Sequence, residues 1–169
     1  MPDSPHDTPR HRTLRFDSFD DAMAEAERLA ACQTRTSGQF SLGQILEHLA
    51  RTLEVVVGTR PLPPPAFPMR WLARLMRPIV LGKATTGFKL PANSQNVLWP
   101  SEAVSTEAGL QHLRAQSEVF KQTDPLPVHP IFGKMTRQQH DALQCRHFEG
   151  HLGFVHPVNE ANDGVGSHS

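Results

Sequence analysis

Apolar positions along the chain recur mostly three and four residues apart, the spacing of one face of a helix. In SFDDAMAEAERLAAC, residues 18–32, Phe19, Ala22, Met23, Ala26, Leu29 and Ala30 keep that spacing beside Asp20 and Asp21, acidic residues that suit a helix N-terminus. The pattern predicts a first helix ending near Thr34. Ser41 and Gln44 match a capping box, in which each side chain satisfies the other residue's free backbone N–H. A second helix runs from there to about Val57 and stops at Gly58. A third fits Thr106 to Lys121, with Leu110, Leu113, Val119 and Phe120 among its apolar positions. A second capping box, Thr136 with Gln139, opens a fourth that reaches about Val155.

The long stretch between the second and third helices reads differently. RPLPPPAFP, residues 60–68, is too rich in proline for a regular helix and favours an extended path. MRWLARLMR, residues 69–77, predicts a short amphipathic helix before Pro78, packed within the molecule in preference to a membrane surface. Residues 82–100 carry turn formers without a sustained period and are expected to form a long ordered loop. No segment alternates convincingly enough for a strand. Four principal helices with one long crossover between the second and third predict an all-α fold, a four-helix bundle. The polar, aperiodic ends, 1–12 and 157–169, are expected to be tails around a domain at 13–156.

Composition narrows the function. A chain of 169 residues supports one domain with a real core. Lysine plus arginine (17) balance aspartate plus glutamate (17), so no net field favours nucleic acid or anionic lipid as a partner. No apolar run approaches the roughly 20 residues of a membrane span. With two cysteines, Cys32 and Cys145, and a polar N-terminus, a reduced, cytoplasmic setting is expected.

The ten histidines carry the candidate chemistry. On the fourth helix one face holds His140, Leu143, His147, His151 and Phe154, which turns two imidazoles four residues apart toward the interior. Such a pair can present two nitrogens to one metal ion. The same spacing also fits buried neutral histidines bonded to backbone or water. On the second helix Ile45, His48 or Leu49, Thr52 and Val56 share a face, so His48 borders an apolar stripe and could supply a third inward imidazole. Cys145 is turned about 200° from His147 on a helix and is expected to be a packed residue. His129, in VHPIFG, is expected to cap or pack its loop. Surface or supporting positions are expected for His112, His140 and His156, and no role for His6, His11 and His168.

Taken together, His48 in QILEHLA, the proline-bearing crossover, HPIFG at 129–133, and His147 with His151 resemble the DinB-like superfamily. Within it the chain is most similar to a branch of small bacterial proteins known only as a domain of unknown function. The resemblance runs from about Thr13 to Phe154. It implies a four-helix bundle with a long crossover after the second helix, and a divalent metal ion held by His48, His147 and His151. Such relatives commonly place another histidine beside the last ligand, where this chain has Gly150-His151-Leu152-Gly153-Phe154. The two glycines let the helix end fray or admit a close neighbour. Imidazoles suit zinc, nickel or iron alike. Relatives that transfer small thiols or isomerise thiol adducts imply a metal-dependent thiol S-transferase or related hydrolase acting on a thiol or an electrophile. Glu47, Glu149 and His129 are then candidate proton carriers. A non-catalytic metal- or ligand-binding module acting through a partner or a homodimer is the alternative, and a vestigial site without metal is a third.

Overall fold

The elements follow the order α1 (Phe19–Ala30), β1 (Thr34–Thr36), α2 (Leu42–Val57), α3 (Phe67–Gly82), α4 (Ala92–Leu98), α5 (Thr106–Gln122), α6 (Arg137–Leu152) and β2 (Val155–Pro157) in a computed structural model. It describes residues 11–63, 66–82 and 92–158, and these are mostly helical. Local side-chain chemistry sets where the helices begin. Ser41 with Gln44 and Thr136 with Gln139 form the two expected capping boxes, Ser18 with Asp21 forms a third at α1, and Ser105 caps α5. α2 stops at Gly58 in the left-handed conformation, φ 86°.

The core lies where α2 packs along α5 and where α1 and α6 close over them. Leu46, Leu49, Leu53, Leu113, Phe120, Phe148 and Leu152 are wholly buried, each contributing about 1.5–3 kcal/mol relative to exposure. Phe19 meets the rings of Phe120 and Phe148 at centroid distances of 4.9 and 5.6 Å. Gly43 and Gly109 sit where α2 and α5 approach most closely: a Cβ on either would strike backbone of the opposing segment.

Several boundaries depart from the sequence pattern. α6 ends at Leu152, short of Val155, because Val155–Pro157 forms β2 and pairs antiparallel with β1, Thr36 opposite Val155 and Thr34 opposite Pro157. That pairing likewise ends α1 at Ala30, ahead of Thr34. Arg12 and Pro157, read from sequence as tail, are both held in the fold. The Arg12 amide donates to the Gly153 carbonyl at 2.7 Å and its Nε to the Val155 carbonyl at 2.6 Å. The close neighbour that the glycines of α6 admit is therefore the segment at His11 and Arg12, which fills the space a Cβ on Gly153 would need. Val158 is held too, its amide donating to the Gln33 carbonyl at 2.8 Å, and the other expected tail residues, His6 and His168 among them, lie outside the described residues.

The crossover changes most. α3 starts at Phe67 and continues through Pro78 to Gly82, and its apolar positions keep their helical spacing beyond the proline. Its inward side is narrow: Ala73 is buried, while Phe67, Trp71, Leu75 and Ile79 stand exposed. The expected packing within the molecule holds for one side, where α3 lies against α6, and the Phe67, Trp71, Leu75 and Ile79 stripe is left outside it. The expected loop at 82–100 contains α4, and residues 83–91 of it lie outside the described residues. No helix among the described residues is long and apolar enough to cross a membrane.

Candidate metal centre

His48, His147 and His151 meet. One ring nitrogen from each lies within 4.8 Å of the other two, and the group could hold a metal ion. His48 Nε2 is 3.1 Å from His147 Nε2 and 3.2 Å from His151 Nε2. Two nitrogens bound to one tetrahedral zinc at about 2.0–2.1 Å would lie roughly 3.3 Å apart, so the spacing suits such an ion. α2 supplies the buried His48, and successive turns of α6 supply the half-buried His147 and His151.

The tautomer of His48 follows from its other nitrogen. Nδ1 lies 3.3 Å from the Leu98 carbonyl, which can only accept, so Nδ1 carries the hydrogen and Nε2 presents a lone pair to the cluster. Burial holds His48 and His151 well below the usual imidazole range, the neighbouring imidazoles adding to it, and burial takes His147 down to about 4. All three rings are therefore neutral near pH 7, the state in which imidazole binds a metal.

Trp99, which the sequence pattern left in a loop, completes the surroundings. Its ring stacks on His48 at 3.9 Å and 4° and on Phe40 at 3.8 Å and 14°. Phe40, Trp99 and His48 thus form a three-ring stack that fixes the imidazole plane. The only sequence feature that marks this residue is a tryptophan between α4 and Pro100, in VLWP. The triad opens on a cavity of about 1080 Å³ walled mainly by apolar side chains, among them Ile45, Leu72, Met76 and Phe132.

Residues 8–158 match the family described as a protein of unknown function (DUF1569). The chain belongs to the DUF1569 family. No curated protein and no solved structure matches it.

In this DUF1569 chain the other candidate residues separate from the triad. Glu47 turns toward α5, where His112 Nδ1 lies 2.7 Å from it, and it pairs with Arg51 at 2.7 Å. Burial raises the Glu47 carboxyl, but the bonds from His112 and Arg51 outweigh it and hold the group below its ordinary range. Glu149 is buried on the far side of α6. It pairs with Arg146 at 2.7 Å and accepts the Phe16 amide at 2.7 Å, and burial raises its pKa. Neither carboxylate lines the cavity. Cys145 is buried in the core, and burial pushes its thiol up to about 11, which disfavours a thiolate. His112 bridges Glu47 and Glu54, and His156 lies 3.2 Å from the Ser37 hydroxyl. His140 is wholly buried, with no partner for either ring nitrogen among the described residues. His11 lies 3.0 Å from the Gly150 carbonyl. His129 both caps its loop and lines the cavity.

Proposed function

We propose that this protein is a metal-dependent enzyme of DinB-like architecture in which His48, His147 and His151 bind a divalent zinc, nickel or iron ion. α1, α2, α5 and α6 form its four-helix bundle, and α3 and α4 lie in the crossover. The reaction that fits best is transfer of a small thiol to an electrophile, or a related hydrolysis. The observation that carries this reading is the convergence of three neutral imidazoles from two helices on the wall of a large apolar cavity. Three protein ligands beside a cavity match the ligand count of a catalytic metal site, whereas structural sites are closed by four.

When bound, the ion supplies Lewis-acid activation of a thiol or water. The chain's own residues do the rest. Leu98 and Trp99 orient His48, and the apolar wall binds the electrophile and excludes water. The unpaired Cys32 and Cys145 support a cytoplasmic setting. A second reading, a metal- or ligand-binding module acting through a homodimer or another partner, is favoured by the exposed apolar side chains of α3.

Elemental analysis of protein purified without a metal-affinity column tests the site. Stoichiometric divalent metal is expected in the wild type, with loss in His48→Ala and His147→Ala. Metal content that the two substitutions leave unchanged would remove these residues from the site. A panel of small thiols with a chromogenic electrophile then separates enzyme from binder, since turnover that depends on His147 is expected only of the enzyme.

A further inference from the structure

His129 lines the same cavity as the triad, and the fold fixes its tautomer. It stands in HPIFG, where His129 and Gly133 exchange two backbone bonds of 3.0 and 2.9 Å across a tight loop. Inside that loop the amides of Ile131 and Phe132 both donate to His129 Nδ1, each at 3.2 Å. A nitrogen that accepts two N–H groups carries no hydrogen, so the neutral ring holds its hydrogen on Nε2. Nε2 has no hydrogen-bond partner among the described residues. Nδ1 is turned into the loop, and His129 lines the cavity while only 6% exposed, so the Nε2 edge is the part of the ring left to face the cavity.

The groups around the ring keep it neutral. Burial, together with the neighbouring His140 and His147, takes His129 down to about 3. The ring centre of His140 is 6.1 Å away and that of Phe132 is 5.1 Å away. A neutral imidazole in such a place donates a hydrogen bond without surrendering a proton, the way an enzyme polarises a carbonyl at neutral pH. The walls around it are mainly apolar.

We propose that His129 is a hydrogen-bond donor of the cavity: its Nε2–H, fixed by the Ile131 and Phe132 amides, binds the acceptor oxygen of an otherwise apolar ligand seated beside His48, His147 and His151. This rests on the reading of the cavity as a ligand site and adds the chemistry of the ligand, a carbonyl compound with an apolar body. His129 then selects and orients that carbonyl, and no proton moves.

The test uses the full chain and two neutral probes of one shape, methyl naphthyl ketone and the matching isopropenyl-naphthalene, in which the carbonyl oxygen becomes a methylene group. The ketone is expected to bind about three- to tenfold more tightly, the range of one neutral hydrogen bond. Long-range proton–nitrogen correlation spectra of the wild type are expected to show His129 protonated on Nε2, with a shift caused by the ketone alone. His129→Asn is expected to abolish the preference and keep the loop, because its Oδ1 can accept the same two amides. Equal affinity for the two probes, binding of neither, a preference that survives His129→Asn, or a hydrogen on Nδ1 overturns the proposal. Repeating the titration on His147→Ala separates the two readings. A His147→Ala protein that has lost its metal is expected to keep the ketone preference, and a His129→Asn protein that has lost the preference is expected to keep its metal.

Discussion

α6 and α3 each span 16 residues, and they depart from the apolar-inside rule in opposite directions. α6 buries His140, Gln144, Arg146 and Glu149 and aims His147 and His151 at a cavity, whereas α3 buries only Ala73 and leaves Phe67 79% and Trp71 64% exposed. Burying polar groups costs free energy unless they are paired, so a helix that does it repeatedly is held by specific partners or by a ligand. An exposed apolar stripe costs little in the isolated chain and gains only when something covers it. The two helices therefore differ in what a substitution reveals: in α6 it tests the interior chemistry, and in α3 it tests the company the molecule keeps.

The largest effect is expected at the buried pair of α6. Glu149→Ala would strand Arg146, whose pair is 5% and 2% exposed, and would free the Phe16 amide. A loss of about 3–5 kcal/mol in urea unfolding is expected. A loss below about 1 kcal/mol, the worth of an exposed pair, would break the claim that α6 depends on its polar interior. Next comes removal of metal. Chelation is expected to lower stability by about 2.7 kcal/mol when free metal had stood at a hundredfold above its dissociation constant, and to do nothing in His147→Ala. An equal fall in the variant would show that the chelator acts elsewhere.

Acid sharpens the same contrast. His48, His129, His140, His147 and His151 all lie below their ordinary value of 6.5 in the folded chain, His147 at about 4 and His129 at about 3. The unfolded chain takes up protons as pH falls through about 6.5 while these folded rings do not, so more protons bind to the unfolded state. Their contribution is complete above about pH 6.5 and is lost progressively as the pH drops toward 4 and 3. Thermal unfolding between pH 7.5 and 4.5 is expected to show a falling midpoint, with a weaker slope in His140→Phe. The smallest effect belongs to α3. Trp71→Ser with Leu75→Ser is expected to change stability by less than about 0.5 kcal/mol per site. Sedimentation of the same variant checks the homodimer reading, since a wild-type dimer that the substitutions dissociate would place the contact on this stripe.

What the amino-acid pattern makes legible is local chemistry. Ser41 with Gln44, Thr136 with Gln139 and the glycine after Val57 fix three helix ends by contacts within a few residues, and each is found where expected. Helical phase likewise turns His147 and His151 inward and sets His48 beside an apolar stripe, while their meeting as a group of three is implied by the family resemblance and is seen only in the fold. β1 and β2 escape notice because three residues are too few to show a period and their pairing joins Thr34 to Pro157, far apart in the chain. Trp99 escapes for a related reason: its stack on Phe40 and His48 exists only once α4 lies against α2. The outward face of α3 misleads, since an apolar stripe records that a surface wants covering without recording whether the cover is the same chain.

The chain has two tryptophans, and the fold places them in contrasting settings. Trp71 stands on the exposed face of α3, while Trp99 lies clamped between Phe40 and the imidazole of His48. The molecule consequently carries two separable fluorophores: one open to soluble quenchers on the outer surface, the other in electronic contact with the very ring that would change state on binding metal. In Trp71→Phe protein the remaining emission would then report metal binding at the triad, readable in solution without label or substrate.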